Sequence, residues 1–211
     1  WSFLHVDKAE VDLPVGTDIY SDAVYAKAKE NLERMIQQGV FEQDLLPNLY
    51  IYRLTMNGKS QTGLVCCTSV DEYLDNTIKR HELTRADKEA DRIRHVDTLN
   101  ANTGPIFLAY KENLDAKAII DGWTAAVQPI YDFVSEDGIS HTVWMIDSDT
   151  EIGMLVQSFL NVENLYIADG HHRNASAVKV ALKRRVEKPY FTGEEEFNFF
   201  LSVCFRADEL E

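Results

Sequence analysis

Leu165-Tyr166-Ile167-Ala168-Asp169-Gly170-His171-His172-Arg173 decides the fold class of this chain. Its first four residues are an apolar run of the length of a short buried strand. Asp169-Gly170 marks a turn. From about His172 to Glu187 the spacing predicts a long helix. A strand that passes through one glycine straight into a helix belongs to a fold in which helices pack on a sheet.

Outward from that turn, elements of both kinds alternate. Residues 49–56 and 62–67 are two runs with strand patterning on either side of Asn57-Gly58, the strongest short hairpin signal. A second hairpin is expected from 127–134 and 139–146, around Glu136-Asp137-Gly138. Residues 2–6 read as a short strand, 106–110 as a buried strand and 197–205 as a last strand. Helices are expected from Ser21 or Asp22 to Gly39, then over 69–75, 87–99, 113–122 and 149–161. Local hairpins among alternating helices predict an α/β fold in the broad, α+β sense, with a mixed rather than a purely parallel sheet. The chain is expected to be a single α/β unit over residues 1–211 and, with Trp1 in place of an initiator Met, a fragment of a longer protein.

Charge narrows the partners. With 21 Lys+Arg against 35 Asp+Glu the net charge is −14. Nucleic-acid binding depends on clustered cations that neutralise phosphates, so no nucleic-acid partner is expected. No apolar stretch approaches the roughly 20 residues that span a bilayer, and the N-terminus lacks the pattern of a signal peptide, so no membrane partner is expected. Cys66, Cys67 and Cys204 make an odd count with one adjacent pair, a poor disulfide framework. These features predict a reduced, cytoplasmic protein. A small phosphate-containing substrate remains compatible, because a local site can be positive on an acidic body.

Chemistry concentrates at three places. A helix N-terminus presents unpaired amides and a partial positive charge, and anions bind there. Gly170 permits a tight turn and close approach of a ligand to the backbone. His171, His172 and Arg173 add donors in the first turn, where cations oppose the helix dipole unless an anion is bound. Arg suits phosphate through its planar fork of donors. The plainer alternative is a helix capped by Asp169 with exposed first-turn side chains. The second place is the basic stretch with Lys79, Arg80, Arg85, Lys88, Arg92 and Arg94. It reads as a second cationic wall, with Glu82 as general base or magnesium ligand, or else as a solvated, salt-bridged helix. The third is Asn102-Thr103 in the run before Gly104-Pro105, either a substrate-contacting loop or a plain one.

These same segments carry a resemblance. Ser2-Phe3-Leu4-His5-Val6, Lys79-Arg80-His81-Glu82-Leu83-Thr84-Arg85, Lys88-Glu89-Ala90-Asp91-Arg92, Asn102-Thr103-Gly104-Pro105 and Ile167-Ala168-Asp169-Gly170-His171-His172-Arg173 resemble, in order, the hallmarks of the bacterial domain-of-unknown-function family 1015. Arg206 departs from that pattern, which leads one to expect Pro. The Asp169–Arg173 turn is also similar to the phosphate-binding turn of the ParB/sulfiredoxin superfamily, and within it to that of free-serine kinases. The resemblance implies a ParB/sulfiredoxin-like phosphate-binding core and a phosphotransferase acting between serine or phosphoserine and ADP or ATP, with magnesium. It implies that Gly170, His171, His172 and Arg173 hold phosphate; on the charge pattern, Lys79, Arg85 and Arg92 of the second cationic wall are expected to join them. It implies that Glu82 activates the hydroxyl, with Asp169 orienting a histidine or assisting the proton. Two other outcomes stay open: a nucleotide-binding regulatory module without turnover, and a phosphatase.

Overall fold

Asn57 and Gly58 both take positive φ, 53° and 78°, the backbone of a two-residue hairpin turn. They join β1 (Leu49–Met56) to β2 (Lys59–Ser69), in antiparallel register from Met56↔Lys59 to Tyr50↔Val65. The structure is a computed structural model. It describes residues 1–82 and 86–210, with backbone alone at 86 and 87. Among the described residues it is α+β, with seven α-helices and one eight-stranded mixed sheet.

The chain divides into two compact units. The sheet unit comprises Leu45–His81, Pro105–Gly170 and Leu201–Glu211. Its further strands are β3 (Ile78–Lys79), β4 (Ile106–Tyr110), β5 (Tyr131–Val134), β6 (Ser140–Ile146), β7 (Leu165–Asp169) and β8 (Phe199–Arg206). The strand order is β3-β7-β4-β8-β2-β1-β6-β5. Both expected hairpins are present, and β5 and β6 pair from Val134↔Ser140. A short helix, α3 (Val70–Leu74), follows β2, with Ser69 accepting from the amide of Asp71.

On this sheet pack α5 (Leu114–Ala126) and α6 (Asp149–Phe159). The core joins Ile51, Leu64 and Trp144 of the strands to Ala116 and Ile120 of α5 and Leu155 of α6. Asn113 ties the helices: its Oδ1 accepts from the Ala116 amide at 3.0 Å and its Nδ2 donates to the Ser158 carbonyl at 3.0 Å.

At the other end of the sheet, β3 and β7 run parallel with Ile78 opposite Leu165. β4 runs antiparallel to β7, Phe107 opposite Asp169, and parallel to β8, Ile106 opposite Ser202. The carboxyl ends of β3 and β7 therefore share one edge of the sheet with the amino ends of β4 and β8. Carboxyl ends of parallel strands are where open α/β sheets take ligands.

The helical unit comprises Trp1–Asp44, Glu82–Gly104 and His171–Phe200. It holds α1 (Leu4–Asp7), α2 (Asp22–Gln37), α4 (Ala86–Leu99) and α7 (His171–Glu187). Its core gathers Val6, Ala9, Val24, Ala28, Met35 and Leu99. The strand expected over residues 2–6 is thus a helix. Val6 is fully buried in this core. Its carbonyl faces Nε2 of His95 at 3.0 Å, and that of His5 accepts from Asn31 Nδ2 at 2.7 Å. The helix's own bonds, such as the Lys8 amide to the Leu4 carbonyl at 2.8 Å, and these side chains satisfy the backbone that a strand would have paired. A short apolar run has no period that separates helix from strand.

Charge pairs run down the α4–α7 contact. Glu89 binds Lys179, and Asp97 binds Lys183 at 2.6 Å and Arg184 at 3.0 Å. Burial alone would raise the Asp97 carboxyl, but the hydrogen bonds from Lys183 and Arg184 hold it below its ordinary value.

Candidate functional site

Gly170 alone separates the last residue of β7 from the first of α7, and its φ is +90°. A side chain there would sit in the left-handed region that L residues avoid. The abrupt start leaves the first-turn amides of α7 without intrahelical partners. His171, His172 and Arg173 occupy that turn.

Within the helical unit two further segments reach the turn. Nδ1 of His171 lies 4.0 Å from Oε2 of Glu82, with His171 buried and the Glu82 side chain 67% exposed. The pair is an ion pair only when the imidazole is protonated. The Arg173 guanidinium lies on the backbone of Gly104: a Cβ added there would stand 3.0 Å from its Nη1. The stretch Asn102-Thr103-Gly104 is therefore brought to the arginine, and Asn102 is exposed. A side chain at Gly104 would ask the end of Arg173 to give by a few tenths of an ångström.

Asp169 and Lys79 belong to the sheet unit. Asp169 is the exposed end of β7, and Lys79 is half-buried in β3 opposite Tyr166. Arg85 lies outside the described residues. Arg92 is engaged by two carboxylates, Nη1 with Asp7 at 3.0 Å and Nη2 with Asp91 at 3.0 Å. Burial opposes its charge, yet Asp91 and Asp7 hold the guanidinium above its ordinary value. His95, one turn on, is buried; desolvation lowers its pKa, so it stays neutral.

The sequence profile of a family described as Protein of unknown function (DUF1015) matches residues 1–211. The chain belongs to the DUF1015 family. No curated protein and no solved structure matches it.

In this DUF1015 chain the turn holds one polar residue that sequence reasoning passed over. Asn174 is fully buried, and neither its Oδ1 nor its Nδ2 has a hydrogen-bond partner among the described residues. Nδ1 of His172 is likewise buried without one. A buried amide with both ends unmatched costs about 1–3 kcal/mol for each unsatisfied group, and a bound polar ligand or water removes that cost. The sequence does carry a signal: an amide in a helix otherwise built there of Ala, Ser and Val. Among the described residues, no three His, Cys, Asp or Glu side chains are grouped to hold a metal. Magnesium keeps several waters and binds through one or two carboxylates plus substrate phosphates, and the exposed carboxylate of Glu82 fits such a part. No helix among the described residues is long and apolar enough to cross a membrane.

Proposed function

We propose that this DUF1015 chain transfers a phosphoryl group between serine, or phosphoserine, and an adenine nucleotide. The observation that carries this reading is the convergence at the start of α7: the turn at Gly170, His171 with Glu82 4.0 Å from its Nδ1, and Arg173 over Gly104. Phosphoryl transfer asks the protein mainly for position and charge neutralisation. First-turn amides, Arg173 and His172 neutralise the transferring group. The likeness of Asp169–Arg173 to the phosphate-binding turn of the ParB/sulfiredoxin superfamily supports the same assignment.

In the forward direction the serine Oγ forms a bond to the γ-phosphorus as the bond to the leaving oxygen of ADP breaks. The hydroxyl proton goes to a carboxylate. Glu82 is exposed and stands beside His171, which makes it the base. The buried amide of Asn174 adds a donor and an acceptor for the bound anion or the serine. Magnesium, when bound, neutralises the phosphates. Among the described residues no cysteine is in a disulfide, which suits a reducing compartment such as the cytoplasm.

The test is direct. The protein is incubated with phosphoserine, ADP and magnesium, and with serine and ATP. ATP and serine are expected in the first mixture, phosphoserine and ADP in the second. Release of inorganic phosphate without nucleotide makes the protein a phosphatase. Nucleotide binding without product in either direction makes it a regulatory module.

A further inference from the structure

A groove of about 480 Å³ lies wholly within the helical unit, and the reaction above makes no use of it. Lys188, one residue past the end of α7, and Ala177, Val180 and Arg184 of α7 form one wall. Steps of three and four residues place the last three on one stripe of the helix. The same stripe starts four residues earlier with Arg173. A second stretch of lining is Val96 and the run Asn100 to Asn102. Two residues beyond Asn102, the Gly104 backbone meets the Arg173 guanidinium. Both stretches continue along the chain to Arg173 or to the Gly104 that meets it. Phe197 and Phe199 line the groove beside them.

The groove's charges are mostly engaged. Asp97 holds Arg184 at 3.0 Å. Glu195 accepts from the amides of Thr192 at 2.8 Å and Gly193 at 3.0 Å. Nζ of Lys188 stands 5.7 Å from the centroid of the Phe197 ring. What is left for a ligand is the ring of Phe199 and the rest of the Phe197 ring, the aliphatic Val96 and Val180, the amides of Asn100 and Asn102, and the exposed carboxylate of Glu196. Rings accept the π-face of a base. Carboxylate and amide oxygens accept from hydroxyl and amino groups. A free phosphate or a serine occupies little of such a volume, which is that of a site for a larger organic ligand. Ala177 and Val180 lie about 6 and 10 Å along the helix axis from Arg173, at roughly 1.5 Å per residue. A ribose and its phosphates cover that span.

We propose that this groove is the nucleoside subsite: a purine nucleoside lies between Val180 and the Phe197–Phe199 segment, with its phosphates returning to Arg173. The proposal rests on the reading of the α7 start as a phosphate seat, and the experiment separates the two. Calorimetry on the whole protein compares ADP with pyrophosphate. ADP is expected to bind about tenfold tighter, from stacking and the added contacts. Phe197→Ala and Asn102→Ala are expected to weaken ADP about tenfold and leave pyrophosphate within roughly twofold, whereas Arg173→Ala weakens both. Should Phe197→Ala fail to fold in a thermal melt, the exposed Asn102→Ala decides by itself. Equal affinities for ADP and pyrophosphate, indifferent to the groove variants, overturn the subsite and leave the phosphate seat standing. ADP binding that depends on the groove with no pyrophosphate binding upholds the subsite and removes the phosphate seat. If neither probe binds, both fall.

Discussion

Gly58 and Gly170 are two of the chain's left-handed glycines, and their turns lead to opposite ends. At Asn57-Gly58 the chain folds back on itself, the next residues pair across the hairpin, and Thr55 and Ser60 share a hydroxyl hydrogen bond of 2.8 Å. A Cβ on Gly58 would meet only open space. At Gly170 the chain runs on into α7 instead, so the first-turn amides face forward without intrahelical partners. Two residues of that first turn and a half, His172 and Asn174, keep buried polar atoms unmatched. The same backbone device closes one structure and opens another. What differs is whether the following residues find their hydrogen-bond partners in the fold.

The largest test of that contrast is chemical. Glu82→Gln or Arg173→Ala is expected to lower phosphoryl transfer by about 10²–10⁴-fold, read as initial rate, with little change in melting temperature. An unchanged rate removes the α7 start from the chemistry. Ile51→Ala, in the sheet core, is expected to do the reverse. It costs about 2–5 kcal/mol in urea unfolding and leaves the rate per folded molecule unaltered. Gly58→Ala and Gly170→Ala should each cost about 1–2 kcal/mol of backbone strain. Only Gly170→Ala should also weaken nucleotide binding by calorimetry; equal loss in both, or in neither, erases the distinction between the turns.

Two smaller effects sharpen it. Asn174→Leu removes the unmatched amide and is expected to raise the stability of the unliganded protein by about 1 kcal/mol, while shrinking the stabilisation that ADP brings. A loss of unliganded stability would mean that the amide is satisfied within the fold. His95 gives the smallest signal. Desolvation lowers its folded pKa below the ordinary 6.5, so between those values the unfolded chain binds more protons and stability rises with pH. Its contribution is whole above pH 6.5 and is lost as pH falls through the folded value. His95→Gln should flatten the pH dependence of the urea midpoint just below pH 6.5.

Much of the fold was legible because its signals are local. The β1–β2 turn rests on two residues that tolerate positive φ. The strand Ile106–Tyr110 and the helix after Gly170 rest on apolar period and punctuation. The α1 segment was misread because five residues carry no resolvable period, and its helix is held by the buried Val6 and by side chains from α2 and α4. In the candidate site, the Gly170–Arg173 turn and the Asn102-Thr103 loop were legible as types of chemistry. Their meeting through Gly104 and Arg173 was not. Nor was the capture of Arg92 by Asp7 of α1, since a cation's partner across long sequence separation leaves no mark on spacing.

The sequence by itself determined where the chain turns, which stretches are strands or helices, and which residues could receive an anion, because those depend on φ preference, side-chain period and functional groups within a few residues. Tertiary structure alone decided which cations are engaged by carboxylates, which amide is buried unmatched at Asn174, and which loop lies against Arg173. Those depend on burial and on distances between segments far apart in the chain, and burial sets the cost of every polar group that lacks a partner.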